Sequence, residues 1–160
     1  MRDFVECVQG FDVLFLSECW VNETHQVEID SFAKPFCKFR KKKKKKGKRE
    51  SGGLCVYFRN DILGGVENVK WEFEDGLVFK LNGDFFGWNN NVFLFCVYMR
   101  DNKSTREIIN ENLNCYEELL EKLAGVSGRD DIIVWGDMNA RIADRKECIV
   151  KLSERNRSNE

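Results

Sequence analysis

Asp130-Asp131-Ile132-Ile133-Val134-Trp135-Gly136-Asp137-Met138-Asn139-Ala140-Arg141 is the stretch on which the reading of this chain turns. Four large apolar residues, Ile132 to Trp135, run without interruption. A short unbroken apolar run predicts a strand buried on both faces, in the middle of a sheet. Gly136 punctuates it, and Asp137 and Asn139 follow, separated by Met138. Polar residues at the mouth of a buried strand are where an open α/β sheet places its chemistry. An ordinary Asp/Asn turn at a strand end accounts for the same spacing.

Other segments divide the chain into similar units. Phe4, Val5 and Val8 can line one face of a short helix ended by Gly10. Asp12 to Glu18 is a second apolar run closed by polar residues, and it reads as another central strand. If it shares a sheet and a direction with Ile132–Trp135, Glu18 and Asp137 face one crevice. Two carboxylates there suit Mg²⁺, which takes one or two and fills its remaining positions with water and phosphate. A solvated strand-end Glu is the plainer alternative. His25, the single histidine, lies in a polar stretch and reads as solvent-exposed.

Ser31 to Phe39 reads as a strand interrupted by Pro35. Arg40, Lys41, Lys42, Lys43, Lys44, Lys45 and Lys46 then open a basic run ending at Arg49. Like charges repel, which predicts an exposed loop over residues 40–50. The run suits attraction to nucleic-acid phosphates or nuclear import, and equally a solvated loop without a role. No aromatic residue interleaves the lysines, so base stacking is not suggested there. Gly52 and Gly53 permit a turn or a close backbone approach before the strand-like Leu54–Phe58.

Gly65–Phe73, Leu77–Leu81 and Val92–Tyr98 read as further strands, with Asn82-Gly83 as a hairpin turn. Lys103 to Leu123 is the clearest helix. Ser104 to Glu107 has capping-box spacing, and Gly125 can end it. Ile109, Leu113, Tyr116, Leu120 and Leu123 recur at helical spacing and predict the face that packs on a sheet. Beyond Arg141 the pattern fades, and residues 153–160 read as a disordered tail.

Gly136-Asp137-Met138-Asn139-Ala140-Arg141 resembles the GDFNAR signature of the endonuclease/exonuclease/phosphatase superfamily, the DNase I-like proteins. Met138 for Phe is the one departure. Leu16-Ser17-Glu18-Cys19-Trp20 resembles its LxETW motif, and Ser51 to Asn60 resembles the GGVAVYVRN segment of non-LTR retrotransposon endonucleases. Cys96-Val97-Tyr98-Met99-Arg100 resembles VYxPP without its prolines. The style is that of the retrotransposon branch, including its reverse-transcriptase-associated and craniofacial-development-like derivatives.

The resemblance implies an α/β fold, a truncated four-layer α/β/β/α sandwich of the DNase I-like type, covering residues 1–152. It implies metal-dependent phosphodiester hydrolysis of the endonuclease kind, with DNA as partner and Mg²⁺ as cofactor, Mn²⁺ being able to substitute. Glu18 would hold the metal, Asp137 would orient or deprotonate water, and Asn139 would donate to a phosphate oxygen. Tyr98 would assist, and Arg141 would contact phosphate or tie down its own loop. The family's first strand and its C-terminal Asp-His segment have no counterpart, so activity is expected to be impaired. A noncatalytic nucleic-acid-binding remnant and a phosphoinositide phosphatase-like relative are the alternatives.

Composition agrees with one globular domain: 160 residues, 42% hydrophobic and 33% charged, with 13 Phe and 1 Pro. A net charge of -1 means that any pull on nucleic acid is local. Cys7, Cys19, Cys37, Cys55, Cys96, Cys115 and Cys148 are odd in number and form no CxxC, against a zinc site, a disulfide framework or a disulfide-linked partner. This suits a reducing compartment, nuclear or cytoplasmic. No signal-peptide pattern or membrane-spanning run is present. Oligomeric state is left open.

Overall fold

Leu54 to Phe58 is buried along its whole length and its residues alternate between two cores. Leu54, Val56 and Phe58 join Phe79, Leu81, Leu94, Cys96 and Tyr98 in one core, while Cys55 and Tyr57 join Val8, Leu14, Ile29 and Phe32 in another. The period of two in a strand sends successive side chains to opposite faces, so this strand separates two packed layers.

The computed structural model describes residues 2–19, 27–39, 52–71, 73, 75–99 and 106–139. The chain runs α1 (Arg2–Val8), β1 (Val13–Ser17), β2 (Phe36–Lys38), β3 (Leu54–Phe58), a 3₁₀ turn (Leu63–Gly65), β4 (Val66–Val69) and β5 (Gly76–Leu81). It continues through α2 (Gly83–Phe86), β6 (Val92–Tyr98), α3 (Arg106–Ala124) and β7 (Asp131–Asp137). One sheet has the order β1-β3-β2 and is antiparallel. The other has the order β4-β5-β6-β7, antiparallel except for the parallel pair β6 and β7.

The two sheets face each other across the first core. Phe36, Phe58 and Phe79 meet there edge to face at centroid separations of 4.8 to 6.0 Å. Such pairs add about 0.5–1.5 kcal/mol each beyond the area they bury. Val8 of α1 contributes to the core outside the first sheet, and Cys115, Tyr116, Leu119 and Leu123 of α3 pack outside the second. The layers are therefore helix, sheet, sheet, helix, the architecture that the resemblance implies. Lys38 ties the sheets together, its ammonium donating to the carbonyls of Phe73 and Gly76.

Several expectations need correction. β1 and β7 lie in different sheets, and each is an outermost strand of its sheet in the described structure. The apolar run Ile132–Trp135 is 39–49% exposed rather than buried on both faces. Continuous apolarity marks strands covered on both sides, but here β7 is an outermost strand of its sheet in the described structure, with the Phe15 ring 5.6 Å from that of Trp135.

The α3 face is turned from the expected one. Leu113 and Leu120 are exposed, and Cys115 and Leu119 replace them against the sheet. Ser31–Phe39 shortens to β2 and an isolated bridge at Phe32, because Pro35 has no backbone N–H for a ladder. Gly65–Phe73 shortens to β4.

Asn82-Gly83 does not make a two-residue hairpin. The Asn82 side chain caps α2, accepting from the Phe85 N–H at 3.2 Å, and β5 and β6 are joined through that helix. Asn82→Ala is expected to cost about 1 kcal/mol. Chemical denaturation would show it as a lower midpoint with an unchanged slope. His25, residues 40–50, Ser104, Arg141, Cys148 and residues 153–160 lie outside the described residues.

Candidate functional site

The candidate site lies where the ends of β1, β6 and β7 meet. β6 and β7 run parallel with Tyr98 opposite Asp137, so both strands deliver a polar side chain at their carboxyl ends. Glu18 follows the last residue of β1 in the facing sheet. The Tyr98 hydroxyl donates to Glu18 Oε1 at 3.0 Å. This one hydrogen bond bridges the sheets and brings Glu18 to the strand ends that carry Asp137. The two carboxylates were expected on strands of one sheet; they stand instead on strands of the two facing sheets, linked through Tyr98.

The backbone around these groups is unusual. Glu18 and Asn139 have φ of 55° and 46°, in the left-handed region that non-glycine residues seldom enter. Such conformations cost on the order of 1–3 kcal/mol and persist where surrounding contacts impose them. For Glu18 the contact is visible: Cys19 N–H donates to the Gly53 carbonyl at 3.2 Å. Gly53 itself has φ 98°, and a Cβ there would stand 3.1 Å from the Cys19 carbonyl oxygen. The close approach foreseen for the Gly52-Gly53 pair therefore serves the Glu18 turn.

Asn139 is fixed twice. Its backbone N–H donates to Asp137 Oδ1 at 2.8 Å, an Asx turn that orients the carboxylate. Its side-chain Nδ2 donates to the Met99 carbonyl at 2.6 Å. One of the two amide hydrogens is thus committed to the chain, leaving one for a ligand. Met99 N–H donates to the Asp137 carbonyl at 2.9 Å, closing the ladder beyond Tyr98. From outside, the Tyr116 hydroxyl of α3 donates to the Met138 carbonyl at 3.1 Å. The loop after β7 is held by three separate elements.

Burial divides the four residues. Tyr98 is 5% exposed. Asn139 is half-buried, while Glu18 and Asp137 are exposed. A buried donor carrying an exposed carboxylate keeps the negative charge at the rim, where a cation can reach it. The donor set is hard oxygen, and among the described residues no group of three or more His, Cys, Asp and Glu is placed to enclose a metal. Two rim carboxylates fit Mg²⁺ or Mn²⁺ with most ligands supplied by water, and do not fit a closed zinc site.

The chain shares its fold with the crystal structure of TDP2 from Caenorhabditis elegans, at a TM-score of 0.51 and 14% identity. The fold is the DNase I-like sandwich. The match covers 88% of this chain and 42% of that one, so this chain spans less than half the length of the TDP2 chain. No family model matches the sequence, and no curated protein matches it.

Sequence reasoning singled out Glu18, Tyr98, Asp137 and Asn139 as candidates, and the fold brings these four to one end of the sandwich. Lys41 to Lys46 and Arg141 lie outside the described residues. The supporting groups Gly136, Met99 and Tyr116 were not identified beforehand as parts of the site. Gly136 carried a signal, since it opens the motif, but its task depends on the strand beside it.

Proposed function

We propose that this chain carries out metal-dependent phosphodiester hydrolysis of the endonuclease type, with DNA as its substrate class. The observation that carries the reading is the Tyr98–Glu18 hydrogen bond, which sets a metal-type carboxylate at the strand ends that carry Asp137 and Asn139. The DNase I-like fold supports it, as do the four motif resemblances.

In this reading Glu18 would hold Mg²⁺, for which Mn²⁺ can stand in. When bound, the cation neutralises charge on phosphate oxygens. Tyr98 fixes the rotamer of Glu18. Asp137, oriented by the Asn139 N–H, accepts a hydrogen bond from the attacking water and takes its proton. The remaining Asn139 amide hydrogen donates to a nonbridging phosphate oxygen. Arg141 and Lys41 to Lys46 contribute phosphate contacts that raise affinity without reading sequence.

Ser51 to Asn60 supports the retrotransposon branch over a phosphoinositide phosphatase. The odd cysteine count without a CxxC and the basic run support a nuclear or cytoplasmic setting. No described helix is long and apolar enough to cross a membrane.

A second reading, nucleic-acid binding without cleavage, is favoured by one feature. The basic run falls in the sequence between Lys38 and Leu54, which pair in adjacent strands, and Gly53 beside Leu54 accepts from the Cys19 N–H next to Glu18. One experiment separates the two. Supercoiled plasmid is incubated with the purified chain in Mg²⁺ or in EDTA, while Mn²⁺ binding is followed by electron paramagnetic resonance. Nicking in Mg²⁺ alone supports hydrolysis. Salt-sensitive plasmid binding with neither nicking nor Mn²⁺ uptake overturns it in favour of the second reading.

A further inference from the structure

On the outer face of the β1-β3-β2 sheet, three of the chain's cysteines converge. Cys37 and Cys55 are directly opposed across the antiparallel β2–β3 pair. Their sulfurs lie 3.0 Å apart. Cys19 packs against the same cluster from the end of β1, its thiol 3.1 Å from the Leu16 carbonyl. Nothing in the hydrolytic site uses these groups.

We propose that Cys37 and Cys55 form a reversible oxidation site for hydroperoxide-class oxidants, closing to a disulfide with Cys37 as the attacking thiol and Cys55 as the resolving one. Access assigns the roles. Cys55 is 2% exposed and cannot meet an oxidant directly, whereas Cys37 is half-buried. Charge assigns them the same way. The Cys55 thiol hydrogen-bonds Cys37 and holds it below the usual thiol range, with Lys34 adding a smaller effect in the same direction. The contacts with Cys19 first and with Cys37 second, together with burial, push Cys55 up and keep it protonated.

The step balances simply. Cys37 thiolate attacks the hydroperoxide oxygen, breaking the O–O bond and giving a sulfenic acid and, after protonation, water or an alcohol. Cys55 then displaces hydroxide from that sulfur, its proton leaving as water. The two thiols lose two electrons and two protons in all, and the hydroperoxide is reduced. The sulfurs need to close by about 1 Å, to the usual bond length near 2.05 Å. A thiol reductant reverses the reaction by exchange. Cys19 packs against the same cluster as Cys55 and Cys37. It is the neighbour to which the linkage can pass.

The test uses the full reduced chain, treated with hydrogen peroxide below thiol stoichiometry and analysed by intact mass and peptide mapping. The expected first product has lost two hydrogens, links Cys37 to Cys55, and returns to the starting mass with dithiothreitol. It forms at least about tenfold faster than oxidation of Cys7, which is more exposed but has no thiol partner in the described structure. In Cys55→Ser, the resolving thiol is gone, and dimedone should trap the sulfenic acid at Cys37. Oxygen addition at Cys7 before any linkage overturns the proposal, as does a first linkage that omits Cys55. The wild-type measurement decides the matter even if the variant does not fold.

Discussion

Gly136→Ala is expected to destabilise the chain by roughly 4 kcal/mol, at the upper end of what single substitutions do, and to disperse the candidate site. Gly136 has φ 147°. A Cβ added there would stand 1.8 Å from the Val97 carbonyl oxygen and 2.8 Å from its carbon. These are backbone atoms of the neighbouring strand, so no rotamer change relieves the overlap. Either β7 moves away from β6 or the peptide turns, and each disturbs the register that puts Asp137 beside Tyr98. Steric overpacking costs about 1–3 kcal/mol and a disallowed backbone a similar amount. Urea unfolding of the variant, with near-ultraviolet dichroism as the second probe, checks the size. A loss below about 1 kcal/mol would mean that β7 shifts freely and that its pairing does not support the fold.

Glu18→Gln is expected to weaken Mn²⁺ binding at least tenfold, about 1.4 kcal/mol, with little change in stability. Glu18 is exposed, and its uncharged isostere can still accept the Tyr98 hydrogen bond. What disappears is charge, one of the two carboxylates available to the cation. Tyr98→Phe separates positioning from coordination. It frees the Glu18 rotamer without touching the carboxylate, so the affinity loss should be smaller. Because a water can replace the lost donor at the rim, the stability cost is about 1 kcal/mol.

Glu18→Gly tests the backbone separately. Glycine relieves the left-handed backbone at φ 55° by on the order of 1 kcal/mol, which offsets about 1 kcal/mol lost with the Tyr98 hydrogen bond, so stability should stay near the wild-type value while the ligand is lost. Equal Mn²⁺ affinity in wild type and Glu18→Gln would remove Glu18 from the metal site.

Much of this organisation was readable from residue order, and the failures share a cause. Local pattern marks where strands begin and end, so Val13–Ser17, Leu54–Phe58 and Val92–Tyr98 emerge from their apolar runs. It says nothing about partners. That β1 pairs with β3, and that β7 faces β1 from another sheet, depends on contacts between distant segments.

Asn82-Gly83 misled for a related reason. The pair favours a tight hairpin, yet Asn91 Oδ1 accepts the Gly83 N–H at 3.1 Å and stabilises a longer connection. In α3 the helical period was right but the phase was off by a residue or so, because Cys115 was not weighed as a packing residue. The candidate site residues were picked out through their motifs. The Tyr98–Glu18 bond was not, since the two lie far apart in sequence and meet only across the sandwich.

The pairing of Lys38 with Leu54 bears on how the lysine tract can vary in length. Lys38 and Leu54, which bracket residues 39–53, are pinned side by side on adjacent strands, so the chain between them starts and ends at one place. The entropy of closing such an excursion grows only with the logarithm of its length, about 0.6 kcal/mol for each doubling. Insertion or deletion of a few lysines therefore leaves strand register and the Glu18 turn in place, while changing the local positive charge one step at a time. The tract is a segment whose electrostatics can drift between related chains at almost no cost to the scaffold.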